Sequence, residues 1–419
     1  MKYYIAIILT MTAWILQAQT EPVTLARCRE LARENYPVLR QKEILQSLSG
    51  LKTANLGTSY LPQVELNGQA TYQSDVTKVD IPVPGITLPE LSKDHFKVYL
   101  DVKQTIWDGG ITAARREVES ALLGAGLKEV EVELFQLQAR VDEAYFTSLI
   151  LQQNRRQLEQ TKETLQKRLS ELESAFRNGV TEASNIDQLQ AELLLVGQKI
   201  AEVETARTTA LSVLSLLTAT EITPSTALEL PQPAQAVQPS FVRPEFDLFT
   251  LKSEQLKKQE SLLDKSRNPK LFGFGQAGYG RPGLNMLKND FEPWYLVGVG
   301  VKWNVFDWKT TQREKQILQL QQSVIETRRA ELELNLSILL SRQQKLIDQL
   351  KELIAGDQEL VLLREKISRA SAAKLEHGTI TSSGYLLDLN AETAAKINLE
   401  TRKLKLAEAI LTYNTIKGF

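Results

Sequence analysis

The sequence predicts a mainly α-helical protein with a membrane β portion, built from a unit of helix, β-hairpin, very long helix and return helix that occurs twice. Three observations predict it. Landmarks recur at a constant spacing: Asp108 and Asp307 stand 199 residues apart, and so do Gly179 in RNGVTEAS and Gly378 in EHGTITSS. Apolar residues recur every seven positions along proline-free stretches. Between the prolines and the aspartates they alternate with period two, as in strands with one apolar face.

The chain has 419 residues, with 50 Lys+Arg against 51 Asp+Glu. This near-neutral balance gives no basic excess for nucleic acid, and the slightly negative mean hydropathy excludes a helical membrane protein. Residues 1–19, MKYYIAIILTMTAWILQAQ, read as a secretory signal peptide cleaved after about Ala18 or Gln19: a lysine, an apolar run from Ile5 to Leu16, then a small residue. The alternative, an uncleaved anchor helix, needs about 20 apolar residues, and the run is shorter. Cys28 is the one cysteine, so no internal disulfide is expected. Arg27 stands where a lipoprotein cleavage box needs a small residue, and Cys28 reads as a buried helix residue. One cysteine and two histidines give no multi-ligand His/Cys metal site. No cofactor is expected.

The first repeat covers residues 20–221. Its hairpin spans about 62–107. Val64, Leu66, Gly68, Ala70 and Tyr72 share one face, while Glu65, Asn67, Gln69, Thr71 and Gln73 share the other. Phe96, Val98, Leu100, Val102 and Ile106 then alternate with Lys97, Asp101, Lys103 and Thr105. From Ile111 to Phe176 there is no proline, and Val130, Leu137, Ala144, Leu151, Leu158, Leu165 and Leu172 fall seven apart. That period implies left-handed supercoiling, on a helix roughly 100 Å long at ~1.5 Å per residue. Gly179 ends it, and a return helix covers about 183–217.

A linker with five prolines, residues 222–244, follows. The second repeat covers 245–419, with a hairpin at about 269–307. LFGFGQAGYG, 271–280, is glycine-rich and alternates weakly. Tyr295, Val297, Val299, Val301, Trp303 and Val305 then share one face. Leu318, Ile325, Leu332, Leu339, Leu346, Leu353, Leu360 and Ile367 make a second seven-residue row, ending at Gly378, and a return helix covers about 383–416. The two rows do not superpose under the 199-residue offset. Either a helical insertion lies between the landmarks, or the repeats pack different faces.

Four strands with a lipid-like face are too few to close a barrel, and a bilayer does not tolerate open edges. Chains must therefore share the barrel, and three would supply twelve strands. The helices are too polar for the membrane and must leave it on one side. Trp107 and Phe306 would then lie at the lower interface, with Asp108 and Asp307 starting the descending helices and Gly109 and Gly110 turning the backbone.

QTIWDGGITAARREVESA (104–121), the prolines before each hairpin, the two glycine turns and the duplication together resemble the TolC-like outer membrane efflux proteins, over about 24–417. The resemblance implies a homotrimer in the outer membrane of a Gram-negative bacterium. Its β-barrel sits in outer membrane lipid, and an α-helical coiled-coil barrel continues through the periplasm. It also implies a periplasmic adaptor (membrane fusion) protein and an inner-membrane transporter as partners. Adaptor contact would fall on the periplasmic tip, Asn178, Gly179, Val180, Thr181, His377, Gly378, Thr379, Ile380 and Thr381. The plain alternative is that these residues only turn the chain. Asp187 and Asp388 are the carboxylates nearest the family's acidic entrance ring, and a solvated outer face is the alternative for both. Some members latch the entrance with an arginine two residues after the second glycine; Ile380 stands there, so an apolar constriction is a substitute. Lys97, Asp101, Lys103 and Lys302 are expected in the barrel lumen, and His95 near a rim.

The favoured function is the outer membrane duct of a tripartite efflux or type I secretion system. A trimeric coiled-coil scaffold or adhesin is the alternative, but such chains usually carry strands at one end only. An enzyme is the third possibility. No catalytic residue is proposed, because no nucleophile elbow, phosphate loop or His–carboxylate cluster occurs.

Overall fold

The computed structural model describes residues 22–77, 91–237 and 240–419. The signal segment lies outside them, as does part of the loop joining the first two strands. In the first repeat, helix α1 (Leu25–Asn35) begins at Thr24, whose hydroxyl accepts the Arg27 N–H at 3.1 Å. A short 3-10 turn leads to α2 (Gln41–Gly57), β1 (Gln63–Tyr72), β2 (Asp94–Trp107), α3 (Ile111–Arg177) and α4 (Ala183–Thr218). In the second, α5 (Pro244–Ser266) precedes β3 (Lys270–Arg281), β4 (Glu292–Lys302), α6 (Thr310–Glu376) and α7 (Ser382–Lys417). α3 and α6 have 67 residues each and α4 and α7 have 36 each, and the boundaries of these four helices all keep the 199-residue offset. No helical insertion separates the landmarks. Among the described residues no helix is long and apolar enough to cross a membrane.

The chain divides into two compact units. One comprises residues 42–128 and 247–329 and holds a single antiparallel sheet in the order β1-β2-β3-β4. The β2–β3 ladder, Phe96↔Arg281 through Trp107↔Leu271, joins the two repeats. Its register puts Val64, Leu66, Ala70, Val98, Leu100, Ala277, Val297, Val299 and Val301 on one face. That face is apolar and open: Leu66 is 73% and Val299 74% exposed. The weak alternation of 271–280 has a packing cause. Phe272 and Phe274 lie on the polar face, where their rings cover Gly300 and Gly298. A Cβ there would meet ring carbons at 2.5 and 2.6 Å.

The predicted fourth strand runs to Asp307, but β4 ends at Lys302, opposite the first residue of β3. Opposite the next residue stands Pro269, which has no N–H with which to extend the β3 ladder.

The other unit comprises the described residues of 1–41, 129–246 and 330–419 and is helical. At one end Leu25, Cys28 and Ala32 of α1 pack against Leu137, Val141, Tyr145 and Phe146 of α3 and Leu211 and Leu214 of α4. Cys28 is fully buried, which pushes its thiol pKa up to about 11. The Tyr145 hydroxyl lies 2.8 Å from the Val23 carbonyl and 2.6 Å from that of Glu229, tying the N-terminal segment to the Pro-rich linker. Toward the turns, Leu165 and Leu172 of α3, Leu189 and Val196 of α4, Leu375 of α6, and Tyr385 and Leu389 of α7 form a second core.

The mismatch of the two seven-residue rows now has an explanation. Val130, Leu137, Ala144, Leu158, Leu165 and Leu172 are buried within the chain. The matching positions of α6 include Leu336, Leu350, Asp357 and Ser371, and these are buried too. Both long helices therefore turn the same row inward. The leucine row of the second repeat is a different face of α6: Leu339, Leu346, Leu353, Leu360 and Ile367 are 38–45% exposed. At the corresponding positions α3 carries Arg140, Thr147, Asn154, Thr161 and Arg168. Only the second repeat presents this face as apolar.

Candidate functional site

Three regions bear on function: the sheet, the strand-to-helix junctions and the glycine turns. On the sheet, register puts Lys97, Asp101, Lys103 and Lys302 on one face, opposite the apolar one. Asp101 is buried between the Lys103 ammonium, 2.7 Å away, and the Gln276 amide, which donates at 3.2 Å. Lys302 pairs directly with Lys270, a residue that alternation alone does not single out. His95 is the second residue of β2.

At the first junction β2 ends on Trp107, and Gly109 and Gly110 take positive φ, 74° and 91°. A Cβ on Gly109 would also meet Asn268 Cβ at 2.5 Å, so backbone angle and close approach both demand glycine. Asn268 donates from its side-chain amide to the Gly109 carbonyl at 2.7 Å. The buried Asp108 carboxylate accepts from the Gly110 N–H (2.8 Å), the Thr112 N–H (2.6 Å) and the Tyr60 hydroxyl (2.8 Å). Burial alone would raise its pKa, but the bonds from Thr112, Tyr60 and Gly110 prevail and hold it at about 2.

At the second junction Asp307 accepts from the Lys309 N–H (3.1 Å) and the Thr311 N–H (3.0 Å), and also from the Thr311 hydroxyl. The left-handed positions fall on Trp308 and Lys309, with φ of 52° and 62°. Trp308 packs edge-to-face on Phe306 with centroids 4.8 Å apart. The same turn is therefore made without glycine, at a cost of about 1 kcal/mol or more per residue. Sequence reasoning missed Tyr60 and these two residues. Tyr60 lies two positions before Pro62, with no pattern to mark it.

The glycine turns share one bonding pattern. Gly179 (φ 72°) donates to Phe176 O and Val180 to Ala175 O; Gly378 (φ 66°) donates to Leu375 O and Thr379 to Lys374 O. This closes each long helix through a left-handed glycine. Asn178 and His377 are the residues before those glycines, and Val180 is 68% exposed. Thr181 accepts from the Asn185 side-chain amide, and the Asn185 side-chain carbonyl accepts the Ser382 N–H at 2.9 Å. A side chain of the first repeat thus caps the return helix of the second, which sequence reasoning also missed. Thr381 caps the same helix through Gly384. Ile380 packs against the second core.

The two entrance candidates are not equivalent. Asp187 is exposed on α4. Asp388 is half-buried on α7 and accepts a hydrogen bond from the Ser371 hydroxyl of α6. Under the 199-residue offset Asp187 corresponds to the buried Leu386, and Asp388 to the buried Leu189. The described residues hold no group of three or more His, Cys, Asp or Glu arranged to bind a metal ion.

A sheet with one open apolar face leads through aspartate-capped turns into helices of 67 residues, the architecture of a β portion continued by very long helices. Residues 29–220 match the family model described as outer membrane efflux protein. The TolC-like resemblance read in the sequence is thereby borne out. The match lies in the first repeat, and from the hairpin onward the second repeat has the same order of elements: two strands, a 67-residue helix and a 36-residue helix. The fold is that of solved outer membrane channels. For CmeC of Campylobacter jejuni the TM-score is 0.67 at 14% identity, covering 94% of this chain and 85% of that one. For VceC of Vibrio cholerae it is 0.63 at 15%, covering 93% and 95%. For MtrE of Neisseria gonorrhoeae, in its open state, it is 0.66 at 14%, covering 94% and 89%. No curated protein matches the sequence.

Proposed function

We propose that three copies of this chain form the outer membrane duct of a tripartite efflux or type I secretion system. The observation that carries the proposal is the sheet. One face is apolar and open across all four strands, the opposite face carries Lys97, Asp101, Lys103 and Lys302, and among the described residues both edges, β1 and β4, are unpaired. In water such a face aggregates, and in lipid such edges are untenable. Pairing β4 of one copy with β1 of the next removes both costs and closes twelve strands around an aqueous lumen. The exposed leucine row of α6 supports the same assembly, since it offers a coiled-coil face that the chain itself does not use.

The helices then cross the periplasm, and the turns at Gly179 and Gly378 receive the adaptor, which brings the inner-membrane transporter. Asp187 is the free carboxylate of the entrance pair and forms a threefold ring; Asp388, held by Ser371, locks α7 to α6. The test is planar-bilayer recording from the detergent-extracted protein. Discrete ion-conducting steps support the duct, and conductance raised by Asp187→Asn supports the ring. A trimer that never conducts, even with Asn185→Ala loosening the turns, overturns the proposal in favour of a scaffold.

A further inference from the structure

A pocket of about 350 Å³ opens where the polar face of the sheet meets the start of α3. Its lining includes Lys103, Arg115, Lys270 and Lys302, with the hydroxyl-bearing residues Ser59, Thr105 and Thr112. Lys270 and Lys302 are direct cross-strand partners, an arrangement that destabilises a sheet unless something answers the charge. Arg115 lies just inside the N-terminus of α3, where a cation also opposes the helix dipole, and that first turn holds no acid. Among the described residues, Lys270, Lys302 and Arg115 form no ion pair. Lys103 is neutralised by Asp101. The one carboxylate in the lining, Asp108, already accepts three hydrogen bonds. Three unanswered cations and three hydroxyl-bearing residues thus line one recess.

We infer that this pocket is a binding site for multivalent oxyanions, phosphate-like or polycarboxylate, at the join of sheet and helix. Two ammonium groups and a guanidinium suit a ligand with several charged oxygens. The pocket is complete within one chain. Its effect on ion passage rests on the duct reading: repeated by threefold symmetry it becomes a basic collar favouring anions just inside the barrel, while Asp187 favours cations at the opposite end.

The probe is inorganic pyrophosphate, titrated calorimetrically into the full chain in detergent. Binding is expected to weaken with rising salt, and to weaken at least tenfold in an Arg115→Gln/Lys270→Gln/Lys302→Gln variant. Lys270→Arg/Lys302→Arg should retain it. Should the triple variant not fold, Lys302→Gln alone should weaken binding severalfold. Equal affinity in the wild type and Lys302→Gln, or no binding by the wild type, overturns the site. In bilayers the same glutamine substitutions should move the reversal potential in a KCl gradient toward cation preference, and an unmoved potential overturns the collar. If no channels form, the duct reading fails, while calorimetry still decides the pocket.

Discussion

Replacing Asp108 by alanine removes three hydrogen bonds at the head of α3, and the structure sets the scale of the loss. Losing a carboxylate that caps helix N–H groups costs about 0.5–2 kcal/mol. The Tyr60 hydroxyl, which donates to the same carboxylate, loses a charge-assisted partner worth roughly 1.5–3 kcal/mol. The lowered pKa of Asp108 gives a second figure for the same bonds. A carboxyl moved from 3.8 to about 2 is stabilised by roughly 2 kcal/mol, at ~1.4 kcal/mol per tenfold. The first route gives about 2–5 kcal/mol and the second about 2, so Asp108→Ala should cost about 2–3 kcal/mol, toward the lower end of the first range. Asp307→Ala, at the same place in the second repeat, removes caps but no tyrosine bond, and should cost about 1 kcal/mol. The sign with pH follows. The folded carboxyl is more acidic than the unfolded one, so its contribution is complete above about pH 4 and fades as pH falls through about 2. Urea unfolding in detergent, followed by tryptophan fluorescence, measures both variants. A loss for Asp307→Ala equal to or larger than that for Asp108→Ala would refute the reasoning.

Leu346→Glu with Leu353→Glu should abolish trimers while sparing the chain's own helical packing, since both residues are exposed there; size and circular dichroism read the two effects separately. Gly378→Val meets no atom within 4 Å but must hold φ near 66°, so about 1–2 kcal/mol of strain should distort the turn, abolishing adaptor-dependent export with trimers intact. Export at the normal rate would remove Gly378 from the docking surface. Deleting seven residues from α3 without a matching deletion in α6 should destroy assembly, because the two helices are equal in length; a matched double deletion should restore trimers in native gels. Leu165→Ala, in the core near the turns, should cost about 2–5 kcal/mol by urea unfolding.

Periodicity carried most of the fold. Val64 to Tyr72 and Phe96 to Ile106 alternate apolar with polar residues, and their strands follow. Gly179 and Gly378 announced both turns, since few other residues hold a left-handed angle there. What stayed hidden has physical causes. A seven-residue row says that a face is buried but not by what, so the row of Leu339 to Ile367 was indistinguishable from an internal one. The turn at Trp308 and Lys309 carries no glycine signature, because its strain is sustained by Asp307 and its capping bonds. Ser371 beneath Asp388, Asn185 on Ser382, and Lys270 opposite Lys302 are contacts between distant segments, fixed by register and helix pairing. Alternation was enough to put Lys97, Asp101, Lys103 and Lys302 on one face of the sheet, but it could not separate Asp187 from Asp388.

The central claim is that neighbouring copies share one barrel through β4 and β1. Native mass spectrometry of the detergent-extracted protein, with cysteines introduced singly along β1 and β4, tests it most directly. Cys28, being fully buried, leaves the background clean. The account predicts a mass of three chains, with disulfides joining β1 of one copy to β4 of the next and raising covalent species to the trimer. A single chain, or a trimer in which no β1–β4 pair cross-links, would contradict it.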